Sequence, residues 1–168
     1  MTRIEFELKR ITADGIPHAL DKAERYRLLN DPEQAESICH DILAVDPDNQ
    51  DTLRTIVLAL SDQFVGGHAH GGVRAARSFV NQLTDEYDRA YYTGIVFERE
   101  ARAFLGRAGV IRSAAYDGFR QAMEWYDRAE DLRPPGNVDA LLRWNSCVRT
   151  IAREHLEPEV DEREQPLE

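Results

Sequence analysis

The chain is predicted to be all-α, built from short amphipathic helices that follow one another as hairpins. Apolar residues recur at helical spacing in successive segments, as at Ala35, Cys39 and Ile42, and again at Leu53, Ile56, Val57 and Leu60. Strong breakers separate these segments: Asn30-Asp31-Pro32, Asp46-Pro47-Asp48-Asn49 and Pro134-Pro135-Gly136. Capping residues stand where helices should begin. Asp31 can accept from the backbone N–H groups of the helix behind it, Pro32 suits a first turn, and Gln34 completes a capping-box-like pattern.

In order along the chain, residues 2–12 fit two readings. Ile4, Leu8 and Ile11 suit a helix, and Ile4, Phe6 and Leu8 suit a strand. Thr2 followed by Glu5 resembles a capping box, which favours a short helix packed on the first hairpin. Ala13-Asp14-Gly15 breaks it. A first helix then opens near Ile16 with Ala19, Ala23 and Tyr26 inward, and its partner carries the Ala35-Cys39-Ile42 stripe, widened by Ile38 and Leu43. The next helix starts near Asp51. VGGHAHGG, between Phe64 and Val73, is too glycine-rich for helix and is expected to be a loop. Ala76, Val80 and Leu83 restore helical spacing.

A longer helix is expected over residues 85–105, with Ala90, Gly94, Phe97 and Ala101 along one face and Tyr87, Tyr91 and Ile95 along the next. Gly94 invites close approach of a neighbouring helix. Gly106-Arg107-Ala108-Gly109 ends this helix, and its partner runs over 113–132 with Phe119, Ala122, Tyr126 and Ala129 inward. Asn137 can cap a last helix reaching His155, with Leu141, Trp144 and Val148 towards the rest of the protein. Residues 156–168 are acidic and proline-bearing, and are expected to form a disordered tail.

The segment from Tyr26 to Gln50 and the block from Ala122 to Pro134 resemble a tetratricopeptide repeat, whose pattern is W-x2-L-G-x2-Y, A-x3-F and P over about 34 residues. Leu53, Ile56, Val57 and Leu60 reproduce the first block, with Val57 where the family prefers Gly. Pro47 and Pro134 lie 87 residues apart (134 − 47), against about 68 for two periods of about 34. The glycine-histidine stretch and the extended third pair must absorb the difference. The resemblance covers about residues 16–155. It implies a right-handed superhelical stack of about three helical hairpins plus a C-terminal capping helix, with residues 1–15 as a short N-terminal segment.

Composition narrows the function classes. Hydrophobic residues make up 42% and charged residues 31%, which excludes a largely disordered chain. A formal charge of −10 disfavours nucleic acid, which demands clustered Lys and Arg, and makes a basic or neutral partner easier to accommodate. No apolar run is long enough to span a bilayer, and the N-terminus lacks a signal-peptide core. Cys39 and Cys147 each sit inside an apolar helical pattern and read as small buried hydrophobes, with the cytoplasm as the expected compartment.

The resemblance implies a non-enzymatic module binding a peptide or protein in a concave groove lined by the first helix of each pair. That face is expected to carry Glu24 and Arg27, then Arg54, Leu58 and Asp62, then Tyr91, Ile95, Glu98 and Arg99, then Leu142, Ser146 and Arg149. Arg and Tyr are the types that most often dominate interface energy. The same charges could instead pair with one another on a solvated face. Asn145 would need a hydrogen-bond partner if buried. Leu20 and Glu24 stand where the family's carboxylate-holding members need Lys and Asn, which argues against that subtype.

A second reading makes this a metal- or small-ligand-binding protein using His68 and His70 in the 66–72 stretch, although an H-x-H pair is short of the about four donors a closed zinc site needs. A third is self-association into a homodimer through an uncovered end of the stack. No cofactor is expected and no catalysis. The chain lacks G-x-S-x-G, H-E-x-x-H and G-x-x-x-x-G-K, and Glu98 and Glu100, two apart on a helix, point in different directions.

Overall fold

The structure, a computed structural model, describes residues 5–66, 69–106 and 112–160, with the backbone alone for Ala69 and His70. The described residues form seven α-helices and no strand: α1 (Ile16–Leu28), α2 (Pro32–Leu43), α3 (Gln50–Asp62), α4 (Ala69–Val80), α5 (Glu86–Leu105), α6 (Arg112–Leu132) and α7 (Asp139–Arg153). Single 3-10 turns stand at Ala13–Gly15 and Phe64–Gly66.

Local chemistry sets the boundaries. Asp31 accepts from Gln34 N at 3.3 Å, Asn49 from Thr52 N at 3.0 Å and Asp85 from Asp88 N at 2.9 Å, so each satisfies an N–H that its helix leaves orphaned. The α1–α2 corner places Asn30 at φ 62°, a left-handed conformation that Asn tolerates better than most residues. Ahead of α7, Asn137 Oδ1 accepts from Asp139 N at 3.0 Å, one residue further out than an ordinary N-cap.

Each helix packs on its neighbours in sequence, and α1 also packs on α3 and α3 on α5. Two apolar cores result. One gathers Ala23, Cys39, Leu53, Ile56, Leu60, Phe64, Ala76 and Val80 with Val96 and Ala103 of α5. The other gathers Tyr87, Ala90, Ile95 and Ala101 of α5 with Phe119, Ala122, Tyr126, Ala129, Ala140 and Cys147. Helix α5 therefore serves both.

Several expectations change. Residues 5–12 have no regular secondary structure; Phe6 and Leu8 are exposed, so no burial rewards the helix favoured there. The glycine-histidine stretch is not one loop, because α4 already begins at Ala69. Gly71 and Gly72 occupy its first turn, where helix N–H groups lack internal acceptors, and a Cβ on Gly72 would stand 3.4 Å from the Phe64 ring. Most of the surplus chain lies in the third pair: α5 and α6 have 20 and 21 residues against 13 and 12 in α1 and α2. At the C-terminus, His155 turns the chain at φ 51° and Leu156 is buried in the second core, so the acidic tail starts after it; residues 161–168 lie outside the described part.

The last helix is rotated from its expected register. Ala140, Cys147 and Thr150 face inward, and Leu141 and Val148 are turned outward. Trp144 is half-buried beside them.

Candidate functional site

The packing of α1 on α3 and of α3 on α5 brings the C-terminal ends of α1 and α3 against the body of α5, and there one carboxylate bridges two guanidiniums. Asp62 Oδ1 accepts from Arg99 Nη1 at 2.6 Å, and Asp62 Oδ2 lies 2.7 Å from Arg27 Nε as an ion pair rather than an aligned hydrogen bond. Arg99 Nη1 also donates to Ser61 Oγ at 2.6 Å and to the Leu58 carbonyl at 3.1 Å, which closes the C-terminal end of α3. Burial lowers the Arg99 pKa; the Arg143 and Arg27 charges add to that, and Asp62 opposes it. Arg27 and Arg143 each stand near enough to Arg99 to repel it.

A second carboxylate does the same between α5, α6 and α7. Glu98 is fully buried. Its Oε1 accepts from Arg102 Nε at 3.0 Å and Nη2 at 2.9 Å and from Arg143 Nη1 at 3.4 Å, and its Oε2 accepts from the Tyr126 hydroxyl at 2.5 Å. Arg102 Nη2 donates onward to Ser146 Oγ at 3.0 Å. Glu98 has left water with both oxygens satisfied, as a buried charge requires. Burial and the neighbouring Glu98 charge raise the Tyr126 pKa well above the usual phenol value, which keeps that hydroxyl a donor. Across the two clusters, four guanidiniums share two carboxylates, a local excess of positive charge in a chain of formal charge −10.

Gly94 makes the second cluster possible. A Cβ on it would stand 2.6 Å from Tyr126 Cε1, so glycine is what lets the Tyr126 ring lie against α5 with its hydroxyl at Glu98. Tyr91, on the same helix, sits 6.0 Å from the Tyr126 ring, centroid to centroid.

The residues expected on one exposed face differ in their surroundings. Arg27, Asp62, Arg99 and Tyr91 are half-buried, and Leu58 packs partly into the second core. Arg54 pairs with Asp88 at 2.7 Å, 34 residues further on, and with Asp51. Ile95 and Glu98 are not on an exposed face: Ile95 belongs to the second core and Glu98 is held by its own ion pairs. On α7 the rotation brings Arg143 and Ser146 towards α5 and leaves Leu142 and Arg149 exposed on the outer side, with Asn145 half-buried there. Glu24 is exposed on α1.

The bridging roles of Arg102 and Arg143 were not anticipated, although the i,i+4 spacing of Glu98 and Arg102 was available as a signal. His68 and the His70 side chain lie outside the described residues. Among the described residues no group of three or more His, Cys, Asp or Glu is placed to hold a metal ion, and no helix is long and apolar enough to cross a membrane. Both cysteines are free and buried, and burial pushes each thiol up to about 12.

Comparison with family models, with curated proteins and with solved structures found no match.

Proposed function

We propose that the protein is a non-enzymatic interaction module, a tetratricopeptide-like stack that takes a peptide or protein partner on the side shared by α1, α3 and α5. The observation that carries this reading is the packing of α1 on α3 and α3 on α5 in addition to each hairpin's own pairing. Such first-helix-to-first-helix contact is what a solenoid of hairpins requires to leave one continuous side for a ligand. The Arg54–Asp88 pair supports the same reading, since its 34-residue offset is about one repeat of this family.

The chemistry of that side refines the partner. There Asp62 alone is shared by two half-buried guanidiniums, Arg27 and Arg99, a pairing that favours backbone carbonyl or carboxylate oxygens of an extended segment, more than the basic segment that net charge alone suggests.

The test is site-specific photocrosslinking in native lysate from Glu24 and Leu58, with Ser37 on α2 and Gln121 on α6 as controls from the other helices. One recurrent adduct from the first two positions and none from the controls is the expected result. Adducts from all four alike, or from none, overturn the reading.

A further inference from the structure

The outward rotation of α7 leaves an apolar stripe on the last helix. At about 100° per residue, Val138, Leu141, Leu142, Asn145, Val148 and Ala152 fall within one arc of the helix, with Arg149 the one charged residue inside it. Leu142 is 57% exposed, Val138 44%, Leu141 43% and Val148 39%, a concentration of large apolar surface on one short helix. Beside the stripe, between α6 and α7, lies a cavity of about 300 Å³ lined by Asp127, Glu130, Leu141, Trp144 and Asn145 among others. Two buried polar atoms of that lining, Trp144 Nε1 and Glu130 Oε2, have no hydrogen-bond partner among the described residues. A covering group must be apolar along the stripe.

We propose that this cover is α7 of a second copy of the chain, packed antiparallel about a two-fold axis at Asn145. In an isologous contact each residue meets its counterpart across the axis. With Asn145 level with Asn145, Val138 comes level with Ala152 and Leu142 with Val148, so the flanking positions are apolar in both copies. On the axis the primary amide of Asn145 carries both a donor and an acceptor, so two such amides can pair with each other.

Charge selects the antiparallel direction. Arg149 and Asp139 take part in no ion pair among the described residues. In this register Arg149 of one copy is level with Leu141 of the other, within side-chain reach of Asp139. Glu130 is already paired with Arg133 and Glu154 with Arg153, which among the described residues leaves Arg149 and Asp139 as the charges on α7 free to pair between copies. A parallel pairing would instead set Arg149 level with Arg149 and Asp139 level with Asp139. The opposed helix dipoles add in the same sense.

Sedimentation equilibrium over a roughly hundredfold concentration range reads the outcome, because self-association follows mass action. The wild-type chain is expected to pass from one to two chains, and Leu142→Glu to remain at one with unchanged helix content, since Leu142 is exposed in the monomer. Arg149→Asp should weaken association about tenfold, and adding Asp139→Arg should recover it. Under mild oxidation Asn145→Cys should form a covalent dimer and Ser37→Cys should not; the native cysteines are buried and leave the assay clear. A wild-type chain that stays single throughout, a dimer that survives Leu142→Glu, assembly beyond two chains, or equal crosslinking from both cysteine variants would each overturn the proposal.

Discussion

The Tyr126 hydroxyl donates to Glu98 Oε2 at 2.5 Å, and its ring lies where a Cβ on Gly94 would stand 2.6 Å from Cε1. One aromatic side chain thereby joins a close helix contact to a fully buried charge. Moving either end disturbs the other.

Gly94→Ala should consequently destabilise the protein by about 1–3 kcal/mol, as overpacking does. It should do so although alanine is the better helix former by about 1 kcal/mol. Urea unfolding followed by circular dichroism measures this, and a gain in stability would mean that the ring can shift without losing Glu98.

Removing the buried carboxylate should cost more. Glu98→Ala leaves Arg102 and Arg143 without their shared anion, and breaking such a pair costs about 3–5 kcal/mol, towards the low end here because both arginines keep contact with water. Glu98→Gln keeps the shape and an acceptor for Tyr126, so its loss should be smaller. The ordering of the two variants in denaturant midpoint is the check.

Alkali should unfold the chain early. Cys39 and Cys147 rise from 9.0 to about 12 because burial penalises the thiolate. The folded state then holds those protons more tightly than the unfolded state. The stability they contribute is fully present below pH 9.0 and is lost as pH climbs to about 12. Tyr126, raised well above its ordinary 10.0 by burial and by Glu98, pulls the same way. Denaturant midpoints across that range should fall, with thiol reagents reacting in step with unfolding and not before it.

At the start of α3, Asn49→Ala removes the oxygen that accepts from Thr52 N at 3.0 Å and Thr52 Oγ1 at 2.8 Å. A loss of about 1 kcal/mol is expected, read from the thermal midpoint, with Asn49→Asp close to wild type.

The helices themselves were legible in the sequence because breakers and caps carry their own chemistry. Asp85, expected near the start of the long helix, is its N-cap, and Gly94 was expected to permit the close contact that it makes. The register of α7 was not legible. Leu141, Trp144 and Val148 obey helical spacing as well as Ala140 and Cys147 do, and a reading that assigns the larger apolar residues to the interior holds for Trp144, which packs partly on the second core, but fails for Leu141 and Val148. Buried Glu98 escaped for a related reason. A glutamate next to an arginine reads as solvated surface, and its neutralising partners Arg143 and Tyr126 lie 45 and 28 residues away. Residues 5–12 could not be assigned from pattern alone, since periodicity describes a helix only where something buries it.

Because α5 contributes Val96 and Ala103 to one core and Ile95 and Ala101 to the other, it is the seam along which two cooperative units meet. Loss of the α1–α2 hairpin would still leave α5 clasped by α6 and α7, and fraying of α7 would leave it against α3 and α4. Its amide protons should be the last to exchange with deuterated solvent, whichever end of the chain opens first.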